Sequence, residues 1–231
     1  CHDKSLPPES KQFIQEVYRD WRQSNALPKD FVEAFSKQTS LSQHAWQDAR
    51  KTNDFKAFAP HLESMIRMAK EKAEHVGYKT VPYDALLDEF EPGGTQAQLT
   101  PLFKTLREGI VDLLKDIQES DATFAKLTGP FDEQAQWDFG IDVLNEMGYD
   151  FDRGRQDISG HPFTTDFHPT DVRVTTRVDE SNIMEAFSST AHEGGHGLYE
   201  QGFDQEWYGT PFCDSISLGI HESQSRLWEH Y

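Results

Sequence analysis

The sequence predicts a mainly α-helical chain with one small β-sheet. Three observations carry that prediction. Apolar residues recur at spacings of three and four through most of residues 1–148. One stretch, residues 171–178, alternates with period two. Helical sequence then returns in two segments, separated by a loop, after residue 182.

Residues 10–24 put Ile14, Val17, Tyr18 and Trp21 at helical spacing. Pro28 stands where a second helix starts, expected over 30–51 with Phe31, Ala34, Phe35, Ala45 and Trp46 among its packing residues. Asn53 or Asp54 is placed to cap a third helix. Its apolar set, Phe55, Phe58, Leu62, Met65, Ile66, Ala69 and Ala73, runs to a stop before Gly77. Met65 and Met68 read as core filler, and His61 and His75 as surface or packing residues. A short helical turn over 83–91 stops at Pro92-Gly93-Gly94. Thr100-Pro101 opens an amphipathic helix with Leu102, Phe103, Leu106, Ile110, Leu113, Leu114 and Ile117 on one face. After Gly129-Pro130, a helix over 131–147 turns Phe139, Val143, Leu144 and Met147 inward, and Gly148 closes it. This half holds no catalytic cluster, and its expected role is one wall of a groove.

From Tyr149 onward Gly154, Gly160, Pro162 and Pro169 break helices. Residues 171–178 read as a half-buried strand, with Val172, Val174, Thr176 and Val178 on one face and Asp171, Arg173, Thr175 and Arg177 on the other. Such a strand, lying above the next helix, is a candidate edge for binding an extended peptide backbone. Arg173 is a candidate to face the cleft and neutralise a substrate carboxylate; a solvated, salt-bridged face is an equal reading.

The chemistry concentrates in His192-Glu193-Gly194-Gly195-His196, on a helix that opens near Asn182 and stops at Gly202. Two histidines four residues apart share a helix face, so both imidazoles can approach one ion. Glu193 stands beside them as a carboxylate able to take a proton from water. The glycines remove bulk beside the ion, which suits close approach of a substrate. A second helix over 215–228, with Ile216, Ile220 and Leu227 as its apolar stripe, carries Glu222 as the candidate third ligand. A helical ion pair with Arg226 is compatible with that role. Two imidazoles, a carboxylate and an open position suit zinc, and the arrangement points to a zinc peptidase.

The bulk properties narrow the partners. The 231 residues carry a formal charge of -18, which disfavours nucleic acid and anionic membrane. Cys1 and Cys213 are too few for a disulfide framework, so a cytoplasmic setting is expected. No apolar run approaches a membrane span.

Four ordered motifs resemble the M32 metallocarboxypeptidases, the thermostable carboxypeptidase type: His161-Pro162-Phe163, Asp171-Val172-Arg173-Val174-Thr175, His192-Glu193-Gly194-Gly195-His196 and His221-Glu222-Ser223. Upstream, His44-Ala45-Trp46, Phe58-Ala59-Pro60-His61-Leu62 and Pro82-Tyr83-Asp84-Ala85-Leu86-Leu87-Asp88 are also similar. The resemblance implies a zincin-like helical metallopeptidase core with a small sheet beside the active-site cleft. It implies His192, His196 and Glu222 as metal ligands and Glu193 as base. For the mechanism such a site would run, Arg173 or His221 is the candidate oxyanion donor. Zinc is the implied ion, with cobalt an alternative, and peptide the substrate, trimmed one residue at a time from its C-terminus.

The family's N-terminal and C-terminal portions, including Ile-Arg-x-x-Ala-Asp and Gly-x-x-Gln-Asp-x-His-Trp, have no counterpart in this sequence. Residues 1–231 are therefore expected to form a single catalytic domain or a fragment, with 1–148 as a helical wall and 149–231 as strand region and metal helices. The expected partner is a second copy or the missing C-terminal portion. The alternatives are a metal-binding fragment or interaction subunit inactive without that portion, and an endopeptidase.

Overall fold

A computed structural model describes residues 5–123 and 126–230. The chain divides into two compact units, Cys1–Leu114 and Lys115–Tyr231. The 131–147 helix thus belongs with the metal helices, although composition groups it with residues 1–148.

In the first unit, α1 (Pro8–Asn25), α2 (Lys29–Thr52), α3 (Phe55–Val76) and α4 (Pro82–Leu87) precede most of α5 (Gln96–Glu119). The α2–α3 corner uses both candidate cap residues. Asn53 adopts φ 54 to end α2, and the Asp54 side chain accepts from Ala57 N at 3.2 Å to start α3. Phe31 packs on Phe35 and edge-on against His75, with ring centroids 5.7 and 5.2 Å apart, and Met68 and Ala73 are buried beside them. Helix α5 begins ahead of the expected Thr100-Pro101. Thr95 and Gln98 form a reciprocal cap, Thr95 N donating to Gln98 Oε1 at 3.1 Å and Gln98 N to Thr95 Oγ1 at 3.3 Å. Pro101 consequently lies inside the helix. None of the described residues of α1 or α5 is buried, and the predicted apolar face of α5 is exposed from Leu102 to Ile117.

The second unit is built around α7 (Ile183–Gln201), which packs against α6 (Glu133–Met147), α8 (Leu218–His230) and a three-stranded sheet. The single expected strand has two companions. In the order β1-β3-β2, β1 (Gly154–Ile158) runs parallel to β3 (Asp171–Thr176), and β2 (Thr164–His168) runs antiparallel on its other side. The predicted strand is therefore central and has no free backbone edge; the edges belong to β1 and β2. Val172, Val174 and Thr176 are buried, whereas Val178 lies beyond the strand. Leu144, Tyr149 and Val174 form the core, with Met147, Phe151 and Leu198 packed against it.

Helix α8 starts where Ser217 Oγ accepts from Ile220 N at 3.1 Å. Its expected apolar stripe is not its packing face. Ile216, Ile220 and Leu227 are exposed, and the fully buried residue is Ser225. Among the described residues, no helix is long and apolar enough to cross a membrane.

Tyr149 ties this core to the sheet, its hydroxyl donating to Val172 O. Burial pushes the phenol up from 10.0 to about 12. Because the folded pKa lies above the unfolded one, this contribution to stability is intact below about pH 10 and lost as pH climbs towards about 12. Tyr149→Phe should cost about 0.5–1.5 kcal/mol at neutral pH and flatten the loss of stability above pH 10, as read from urea unfolding across that range.

Candidate metal centre

Helix α7 carries His192 and His196 on one face, and α8 brings Glu222 opposite them. One ligand atom from each lies within 4.8 Å of the others. Glu222 Oε2 is 3.3 Å from His196 Nε2 and 3.8 Å from His192 Nε2. Tetrahedral zinc with bonds of about 2.0–2.1 Å holds its ligands about 3.3 Å apart, so the donor set and its spacing fit such an ion. Burial, followed by the neighbouring His221 and His192, pulls His196 down from 6.5 to about 4. Its imidazole is therefore neutral, with a lone pair to offer, throughout the neutral range.

The helices can approach because of the glycines. A side chain at Gly195 would meet Ser225 Cα at 2.7 Å and Gln224 O at 2.8 Å, and one at Gly194 would meet Leu144 Cδ2 at 2.6 Å. These residues thus admit the backbone of α8 and the side chains of α6, a packing role in place of the expected opening for substrate.

Glu193 is buried. Thr164 Oγ1 donates to its Oε2 at 2.7 Å and lies 3.1 Å from its carbonyl oxygen. The sheet register explains this contact. Thr164 stands opposite Val174, whose side chain faces α7, so Thr164 faces α7 too. Burial raises the Glu193 pKa, while the Thr164 hydrogen bond, His192 and His161 pull the other way. The His161-Pro162-Phe163 run is fastened to Thr175: Phe163 N donates to Thr175 Oγ1 at 2.8 Å, and Thr175 N to Phe163 O at 2.9 Å. The two motifs act together by setting β2, and with it Thr164, against α7.

The His221 ring lies beside that of His196, tilted by 58° with centroids 4.4 Å apart, and its Nε2 is 3.0 Å from Glu200 Oε1. The contact has the distance of an ion pair without the angles of an aligned hydrogen bond. Glu200 raises the imidazole pKa against the opposing effect of burial. Arg173 is placed differently. It pairs bidentately with Asp171, both contacts at 2.8 Å, and its guanidinium lies 5.0 Å from the centre of the Phe167 ring. Arg173 pairs in register with Thr165, on the face opposite Thr164 and Val174. Sequence reading did not single out Thr164, Glu200 or Glu229, the last 3.2 Å from His192 Nδ1. Only the position of Thr164 just after His-Pro-Phe offered a signal.

A profile of the carboxypeptidase Taq (M32) metallopeptidase family matches residues 2–231. The chain belongs to the M32 family. It is 38% identical over 230 residues to carboxypeptidase 1 of Bacillus subtilis, covering 98% of this chain and 46% of that protein. It is 40% identical over 228 residues to thermostable carboxypeptidase 1 of Thermus thermophilus, covering 92% and 44%. The structure of an M32 carboxypeptidase from Deinococcus radiodurans superposes with a TM-score of 0.93 at 38% identity, covering 99% of this chain and 46% of that one. Trypanosoma cruzi metallocarboxypeptidase 1 gives 0.90 at 33%, covering 97% and 46%. This M32 chain thus spans less than half the length of these relatives.

Gly195→Ala should separate α7 from α8. Overpacking of this kind costs about 1–3 kcal/mol, and bound zinc should fall as Glu222 is displaced. Urea unfolding of the metal-free chain and elemental analysis after zinc loading measure the two effects.

Proposed function

We propose that this M32 chain is the catalytic core of a zinc-dependent carboxypeptidase that removes single residues from peptide C-termini. The observation that carries the reading is the convergence of His192, His196 and Glu222 beside a buried, hydrogen-bonded Glu193. Zinc is the ion proposed, with cobalt as a substitute. When bound, it would polarise the scissile carbonyl and acidify a water molecule.

The chain's own groups supply the rest. Glu193 accepts the proton of the attacking water and returns it to the leaving amine. Thr164 holds one carboxylate oxygen of Glu193 and leaves the other for that transfer. His221, kept basic by Glu200, is the favoured donor to the developing oxyanion. Arg173, engaged by Asp171 and Phe167, is assigned to the outer face of the sheet; substrate carboxylate would have to displace Asp171 to reach it. The free edge of β2, beside Glu193, is the segment suited to an extended substrate backbone. The short span relative to the relatives supports a second reading, a metal-binding core that needs a further portion for hydrolysis.

Hydrolysis of a peptide with a free C-terminus by the zinc-loaded chain tests the proposal, with Glu193→Gln as control. The expected result is stepwise trimming, slowed by about a hundred- to ten-thousand-fold in the variant, with zinc content unchanged. Equal rates in the two proteins would remove Glu193 from the mechanism. Bound zinc with no trimming would select the second reading, and cleavage of end-blocked peptides would select an endopeptidase.

A further inference from the structure

We propose that Glu229, braced by Arg226, is a positioning residue for the metal site: it fixes the ring of His192 so that Nε2 is the ligand atom. The inference rests on the reading of His192, His196 and Glu222 as ligands.

Glu229 follows Glu222 by two helical turns and shares its face of α8. The two carboxylates divide the nitrogens of one imidazole. Glu229 Oε2 is 3.2 Å from His192 Nδ1, and Glu222 Oε2 is 3.8 Å from His192 Nε2. A neutral imidazole carries one N–H. When Nδ1–H donates to Glu229, Nε2 keeps its lone pair and points at Glu222, the direction in which an ion would be held. His196 has no such brace, since its buried Nδ1 finds no hydrogen-bond partner among the described residues.

Arg226 closes the arrangement. Its Nη1 is 2.8 Å from Glu229 Oε2, and its Nε is 3.3 Å from Glu222 Oε1. One guanidinium therefore separates two carboxylates that would otherwise repel each other along the helix. Taken alone, these contacts are ordinary ion pairs within a helix, of small weight where they face solvent. The contact from Glu229 to His192 is different, because it crosses from α8 to α7 and ends on a ligand. Glu229 is also the more enclosed carboxylate, its side chain 20% exposed against 44% for Glu222.

The test is a titration of the metal-free chain with zinc against a competing chelator, using Glu229→Ala, Glu229→Gln and, as a control on the ligand set, Glu222→Ala. Loss of such a partner typically weakens metal binding 10- to 100-fold, and Glu229→Ala should raise the dissociation constant by about that factor. Glu229→Gln should raise it less, because its amide oxygen still accepts from Nδ1–H. A second readout needs no metal. Long-range proton–nitrogen spectra of the unmutated chain should show His192 protonated at Nδ1, with Glu229→Ala shifting the ring towards Nε2–H.

An unchanged dissociation constant in Glu229→Ala, while Glu222→Ala loses zinc, would overturn this inference and leave the ligand assignment standing. An Nε2–H tautomer in the unmutated chain would overturn it as well. If the unmutated chain and Glu222→Ala bind zinc equally, the ligand assignment fails and the inference fails with it.

Discussion

The candidate metal centre depends on how closely two helix backbones can approach. Glu222 reaches the histidines because α8 lies directly on Gly195, with Ser225 Cα and Gln224 O where a side chain would begin. Every other part of the centre is arranged about that contact. Ser225 is fully buried in the same interface, whereas Leu218, Ile220 and Leu227 face outward. The usual logic of an amphipathic helix is inverted here. What α8 buries is the small and polar face that serves the site, and the close fit of backbone against backbone replaces a layer of aliphatic side chains.

Around this contact the ionisable groups differ because their surroundings differ. Burial keeps His196 neutral and makes Glu193 reluctant to ionise, whereas Glu200 makes His221 more basic. Under the proposed mechanism these three groups take separate tasks: offering a lone pair, exchanging a proton and donating a hydrogen bond. The sheet takes part through Thr164 Oγ1, which holds the Glu193 carboxylate.

The helices and the metal pentad were legible in the sequence because their signals are local. Spacing of four residues placed His192 and His196 together, and apolar periodicity located α1 to α3 and α6. The start of α5 was misplaced, although Thr95 and Gln98 carry the signature of a reciprocal cap, because Thr100-Pro101 offered a louder start signal. Strands β1 and β2 are five residues each and lie among Gly and Pro residues, so neither showed a period of its own. Missing them made β3 look like an edge and Arg173 look free to enter a cleft. The outward apolar face of α8 was illegible for a related reason: its partner, Gly195, has no side chain to register in a hydrophobic pattern. Thr164 and Glu229 reach the site from 29 and 37 residues away in the chain, and no local periodicity encodes such a contact.

The bare stripe of α5 has a colloidal consequence. Leu102, Phe103, Leu106 and Leu113 are each more than half exposed, on a molecule whose formal charge is -18. In dilute buffer, mutual repulsion keeps such molecules apart and the sticky surface goes unused. Salt shortens the reach of that repulsion to about 8 Å at physiological ionic strength and about 3 Å at 1 M. Dispersion of this chain is therefore governed by ionic strength, and its least soluble condition is a concentrated salt solution near its isoelectric point.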